Sequence, residues 1–194
     1  MDLTPVAPGM LATIGTSLAK KDRPASAPEP PTPLALVRLE SPSPDAYRAL
    51  FRLVGTDWLW VSRLLLDDAA LGAIVGDRAV EIYAVRDAAG ADVGMLELDF
   101  REGATAELAF LGLVSKLTGQ GYARWLMNRA LALLWRDGVT RAWVHSCTLD
   151  HPRAVGVYCA NGFVPYARGI ETFADPRLTG HLPRDAAPQV PIIA

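Results

Sequence analysis

The sequence predicts an α/β (α+β) domain built on a central, mixed but mostly antiparallel sheet with helices on its faces. Three observations predict it. Residues 81–114 hold three segments of strand-like alternation, EIYAVR (81–86), VGMLELDF (93–100) and AELAFLGLV (106–114), parted by turns at Gly90 and Gly103, which is the pattern of an antiparallel meander. Residues 119–136 place Tyr122, Leu126, Ala130, Leu133 and Leu134 on one helical stripe, closed by Gly138. The order strand 106–114, loop, helix 119–136, strand TRAWVHSCT (140–148) then makes a crossover unit, which ties a parallel pair into the sheet.

The remaining elements follow in order. Residues 1–33 are expected to be an N-terminal arm and Pro-rich linker. Within them DRPASAPEPPTP (22–33) cannot pack a core, while MLATIGTSLA (10–19) either adds a short strand or stays disordered. From Leu34 the pattern becomes regular, and residues 34–173 are expected to form the domain. LALVRLE (34–40) reads as a strand, and Ser43, Pro44 and Asp45 cap a helix that runs to Val54 and stops at Gly55. A second helix starts near Asp67 or Asp68 and ends at Gly76, with Leu71, Ile74 and Val75 inward. After the crossover, Pro152 opens a short helix ended by Asn161 and Gly162, and FVPYARGIETF (163–173) is again extended. Residues 174–194 are expected to be an extended tail.

The chain has 194 residues, of which 51% are hydrophobic and 21% charged, within the range of one soluble globular domain. Its 19 basic and 21 acidic residues give a net charge of −2, too little to gather nucleic acid or an anionic membrane, so neither is an expected partner. No apolar run is long enough to span a bilayer and no signal-peptide pattern opens the chain, so a cytoplasmic location is expected. Cys147 and Cys159 are too few for a disulfide framework and fit a reducing compartment. With His145 and His151 they lack the paired spacing of a structural zinc site, so no metal is expected.

The chemistry concentrates in the loop before the longest helix, SKLTGQGYARWL (115–126). Gly119 and Gly121 let the main chain approach a ligand, and free amides with the positive end of a helix dipole favour a phosphate there. A Walker loop would need Gly-Lys-Ser/Thr, and a dinucleotide fingerprint a third glycine where Arg124 stands. TGQGYA (118–123) instead resembles the pyrophosphate-binding pattern Arg/Gln-x-x-Gly-x-Gly/Ala of the GNAT acyl-CoA N-acyltransferase superfamily, with Gly121 and Ala123 matching and Thr118 departing. PRAVGVYCANGFVPY (152–166) is similar to that family's closing signature, Ala-x-x-x-Tyr-x-x-x-Gly-Phe, through Ala154, Tyr158, Gly162 and Phe163. His151 stands roughly where an Asn is frequent. The resemblance covers about residues 34–173, and DWLWVSRLLLDD, WVHSCTLDHP and DPRLTG suggest a bacterial branch.

The resemblance implies a GNAT fold and an N-acetyltransferase that moves an acetyl group from acetyl-CoA, a cosubstrate, to a primary amine by direct attack in a ternary complex. The carrier would be held by Leu113, Val114, Ser115, Thr118, Gly119, Gln120, Gly121, Tyr122, Ala123, Arg124 and His151. Tyr158, a phenol of reference pKa about 10, suits protonation of the departing thiolate. Glu107, among apolar neighbours that raise its pKa, and His145 on the following strand are rival bases. A main-chain amide near Leu113 would serve the oxyanion, with Gly112 marking a bulge or close approach. Phe51, Trp58 and Trp60 are either core or a pocket wall. The acceptor is a small-molecule amine or a protein amine. The competing readings are a noncatalytic acyl-CoA-binding sensor with the same fold, and an interaction protein whose tail reaches a second subunit in a homodimer.

Overall fold

The structure, a computed structural model, describes residues 3–24 and 29–194. Among these residues, seven strands form one sheet: β1 (Met10–Lys20), β2 (Ala35–Leu39), β3 (Val80–Arg86), β4 (Asp92–Asp99), β5 (Thr105–Leu113), β6 (Arg141–Cys147) and β7 (Val164–Ala174). Their spatial order is β2-β3-β4-β5-β6-β1-β7. The helices are α1 (Pro44–Gly55), α2 (Asp68–Val75), α3 (Tyr122–Leu134) and α4 (Ala154–Ala160). None of them is long and apolar enough to cross a membrane.

Local chemistry sets the helix starts. Ser43 Oγ accepts from the Ala46 amide at 3.3 Å with Pro44 in the first turn, and Asp67 Oδ1 accepts from the Ala70 amide at 2.8 Å ahead of α2. The helix expected from residue 119 begins instead at Tyr122. Gly119 and Gly121 sit at φ +81° and +82°, in the left-handed region that a right-handed helix cannot include.

The meander β3-β4-β5 is antiparallel and β5–β6 is parallel, so the mixed, mostly antiparallel sheet is as expected. Each face of the sheet carries a core. Tyr83, Val85, Leu96 and Leu98 turn toward α3, where Leu126, Ala130 and Leu134 are wholly buried. Ile82, Ala84 and Met95 turn the other way, against Leu50, Phe51 and Val54 of α1 and Leu71 of α2. Phe51 and Leu126 are each fully buried, a stabilisation of roughly 1.5–3 kcal/mol apiece.

Both terminal segments depart from the expected boundaries. Residues 10–20, assigned to an arm outside the domain, form β1 inside the sheet, antiparallel to β6 on one edge and β7 on the other. The strand alternative is thus the one adopted, because β6 and β7 each offer an edge whose main-chain groups β1 satisfies. The linker expected over 22–33 falls partly on residues 25–28, outside the described residues; residues 29–34 form no helix or strand, and Glu29 pairs with Arg129 of α3 at 2.9 Å.

The expected extended tail folds back instead. Arg177 and Asp175 form an ion pair at 2.7 Å whose side chains are 1% and 2% exposed. The same guanidinium donates to the carbonyl oxygens of Ala186 at 3.2 Å and Val190 at 2.7 Å. Leu182, Ala186 and Ala187 thereby join the α1/α2 core.

Candidate active site

The cleft begins where the parallel pair comes apart. β5 and β6 pair only over Thr105–Glu107 with Arg141–Trp143. Just beyond, Glu97 of β4 faces Phe110 while Leu98 faces Leu108, so Ala109 is an extra residue in β5. Such a bulge bends its strand, and here β5 stays with β4 and leaves β6. The gap opens into a cleft of ≈ 1010 Å³.

Main-chain groups of β5 face this gap. The Val114 amide donates to the Val93 carbonyl at 2.9 Å, which makes Val114 and Val93 a hydrogen-bonded pair and Leu113 opposite Gly94 a non-hydrogen-bonded one. The amide of Leu113 therefore points away from β4, toward the side β6 has vacated. Of the two roles expected for Gly112, the bulge falls at Ala109 and the close approach is the one found. A Cβ there would stand 2.6 Å from Val54 of α1, so the glycine lets the helix seat closely on β5.

One end of the cleft is built from backbone. Leu117, Thr118, Gly119, Gly121 and Ala123 line it at the start of α3, and no side chain caps that helix. The amides of Tyr122 and Ala123 at its start are free to meet an anion. Of the other predicted carrier-binding residues, Leu113 and His151 line the cleft. Val114, Ser115, Gln120, Tyr122 and Arg124 belong to the same segment but serve the loop's own structure. Val114 and Tyr122 pack on the α3 core, Ser115 Oγ donates to the Asp57 carboxylate, Gln120 Nε2 donates to the Lys116 carbonyl at 3.0 Å, and the Arg124 amide bonds Gly121 at 3.1 Å. Tyr158 of α4 also lines the cleft, edge-on to Phe163, and burial followed by the nearby Asp150 charge pushes its phenol well above the usual range.

The other end is built from side chains on the sheet face that carries α1 and α2. Glu107, opposite Asp99 on β4 and Trp143 on β6, lies at the last paired position before the gap. Burial, then the neighbouring Asp99 charge, pushes its carboxyl up to about 7. Asp99 itself is raised by burial but drawn below the usual range by its hydrogen bonds from Arg101. These groups, with Glu102 and Thr105, also line a smaller recess of ≈ 250 Å³.

His145 reaches the same cleft on β6. Its Nε2 lies 2.7 Å from Oε1 of Glu171 on β7, although β1 runs between the two strands. The contact passes over Gly15, where a Cβ would collide with His145 Nε2 and lie 2.7 Å from Glu171 Oε1. Half exposed, such a pair contributes on the order of 0–1 kcal/mol. A glycine inside a regular element costs roughly 0.5–1 kcal/mol against alanine.

The segment between α1 and α2 closes the cleft. Trp60 Nε1 donates to Asp150 at 3.0 Å, Trp58 stands edge-on to His151 at 5.3 Å, and Asp57 takes the bond from Ser115. Arg63 donates to the fully buried Glu97 at 2.6 Å and lies over the Phe110 ring, while Tyr47 of α1 donates to the other Glu97 oxygen. Trp58 and Trp60 thus stand in the cleft wall, whereas Phe51 is core. Sequence reasoning missed Arg63, Glu97, Asp150, Glu171 and Gly15. For Arg63 and Glu97 the signal available was a charge inside an apolar run; for Asp150 there was none in its polar neighbourhood, and none for Glu171 and Gly15, since their meeting depends on where β1 inserts.

The model of the acetyltransferase (GNAT) family matches residues 46–163, which hold most of the cleft lining but not Glu171. No curated protein matches the sequence. Among solved structures, a tandem GNAT protein from the clavulanic acid biosynthesis pathway is 23% identical with a TM-score of 0.56, over 82% of this chain and 53% of its own. A putative GNAT-family acetyltransferase from Novosphingobium aromaticivorans is 21% identical with a TM-score of 0.56, over 87% and 69%. An aminoglycoside acetyltransferase from an uncultured soil metagenomic sample, in complex with trehalose, is 16% identical with a TM-score of 0.53, over 67% and 88%. The chain spans only 53% and 63% of the length of the tandem protein and of a GCN5-related N-acetyltransferase from Kribbella flavida. With a family match over most of the chain, a sheet parted between β5 and β6, and glycines at the start of α3, the chain belongs to the GNAT acetyltransferase family.

Proposed function

We propose that this protein transfers an acetyl group from acetyl-CoA to a primary amine by direct attack within a ternary complex. The observation that carries the reading is a single cleft with free helix amides at one end and a carboxyl titrating near neutrality at the other.

The amides of Gly119 to Ala123 suit the pyrophosphate of the carrier, whose anionic charge the α3 dipole favours. The gap between β5 and β6 takes the pantetheine arm, and the Leu113 amide donates to the thioester oxygen as negative charge develops there. Glu107 accepts a proton from the acceptor nitrogen, for which a carboxyl near 7 is better matched than an ordinary one. The nitrogen bonds the carbonyl carbon, the carbon–sulfur bond breaks, and the leaving thiolate takes a proton from Tyr158, which solvent reprotonates as Glu107 releases the proton it took. Burial keeps that phenol protonated until the thiolate forms.

Calorimetry with acetyl-CoA tests the carrier site, and thiol release over a panel of small-molecule and peptide amines tests transfer. Heat of binding with turnover on at least one amine is the expected result. No heat from any acyl-CoA with folded protein would overturn the reading, and binding without turnover on any amine would favour a noncatalytic acyl-CoA sensor. That alternative is motivated by Thr118 and His151, which stand where the family's usual side chains differ.

A further inference from the structure

The His145–Glu171 contact has an unusual construction for two half-exposed side chains. The residues sit on strands that are not neighbours, and β1 separates them. Register explains how they meet. On one face of the sheet, Ser17 of β1 lies opposite His145, Gly15 opposite both Cys147 and Gly169, and Thr13 opposite Glu171. His145 and Glu171 are therefore diagonal to each other across Gly15, the one position in that row of β1 with no side chain, and a methyl group there would stand where the hydrogen bond runs. A pair so exposed adds too little stability to account for a glycine in the middle of an eleven-residue strand. Both partners line the acceptor half of the cleft, together with Glu107 and Trp143.

We propose that Glu171 is a positioning residue which, across Gly15, holds the His145 ring by its Nε2 so that Nδ1 accepts a hydrogen bond from the acceptor amine. The proposal rests on the transferase reading above. A carboxylate only accepts hydrogen bonds, so the shared proton sits on His145 Nε2, and in the neutral ring this leaves Nδ1 as the lone pair. An incoming neutral primary amine has two N–H groups. One passes its proton to Glu107, and the other, held by His145, orients the nitrogen lone pair toward the thioester carbon. The N-terminal strand thereby becomes part of the acceptor site although it supplies no side chain to the reacting atoms.

The test combines ring-nitrogen NMR of ¹⁵N-histidine-labelled full-length protein with steady-state kinetics, using His145→Gln to assign the His145 signals. The expected result is an Nε2–H tautomer in the parent protein and in Glu171→Gln, whose amide oxygen still accepts, and a shifted tautomer in Glu171→Ala and Gly15→Ala. With an amine that the parent acetylates, Glu171→Ala should lower kcat/KM for the amine about 10-fold or more and leave the acetyl-CoA KM unchanged, with Glu171→Gln restoring most of the loss. An unchanged tautomer in Glu171→Ala, or equal kinetics for the Ala and Gln variants, overturns the proposal even if Gly15→Ala fails to fold. Absence of acetyl-CoA binding would instead sink the transferase reading, and the tautomer measurement would still report whether the pair exists.

Discussion

The two ends of the cleft are made of different materials. The end proposed for the carrier, residues 117–123, is one continuous piece of chain that presents main-chain amides, with two glycines at positive φ and an uncapped helix start. The end proposed for the acceptor takes Glu107 from β5, His145 from β6, Glu171 from β7 and Arg63 from the segment before α2, with Gly15 of β1 clearing the space between His145 and Glu171. A site made of backbone is sensitive to local conformation and tolerant of side-chain identity, so on the proposed reading Thr118 is compatible with carrier binding. A site made of side chains from four elements depends on each residue and on the strand order that gathers them.

That contrast can be broken by substitution at either end. The largest effect is expected for Glu107→Gln, which should lower kcat by roughly 10²–10⁴-fold while acetyl-CoA binding, read by calorimetry, stays intact. The parent's rate should fall about tenfold per pH unit below about 7, because a base held there by burial is lost as it protonates, and that acidic limb should disappear in the variant. Arg63→Leu would leave Glu97 as a fully buried carboxylate without its cation, and urea unfolding should show a loss of about 3 kcal/mol or more, partly recovered in the Arg63→Leu/Glu97→Leu double variant. Tyr158→Phe should reduce kcat by about 10²-fold with little change in acetyl-CoA affinity; equal turnover would remove the phenol from the reaction. The smallest effect belongs to the backbone end. Gly121→Val forces a branched side chain to φ +82° at a cost of roughly 1–2 kcal/mol, so acetyl-CoA should bind about tenfold more weakly, with the amine KM unchanged.

Much of the fold was legible because its signals are local. Ser43 with Pro44 marks the start of α1, Asp67 that of α2, and each cap acts within one turn of its own position. The strands expected over 81–114 all form, and their turns at Gly90 and Gly103 have positive φ that glycine accepts. Glu107 stood out as a carboxylate amid apolar residues, and burial does raise it. Other parts were not legible. Nothing within residues 10–20 says that their partners are residues 141–147 and 164–174, more than a hundred positions away. The run DPRLTG gave no hint that Arg177 would gather the carbonyls of the last fifteen residues around a buried Asp175.

By itself the sequence determined where α1 and α2 start and stop, which residues alternate, and where glycines let the main chain bend, since propensity, capping and glycine conformation act over a few residues. Only the tertiary structure decided that β5 parts from β6 at the Ala109 bulge, that the N-terminal segment fills the space between β6 and β7, and that His145 meets Glu171 over Gly15. Those outcomes belong to strand pairing between distant segments, where the hydrogen bonds of any one strand are equally well met by several partners and only the packing of the whole sheet selects among them.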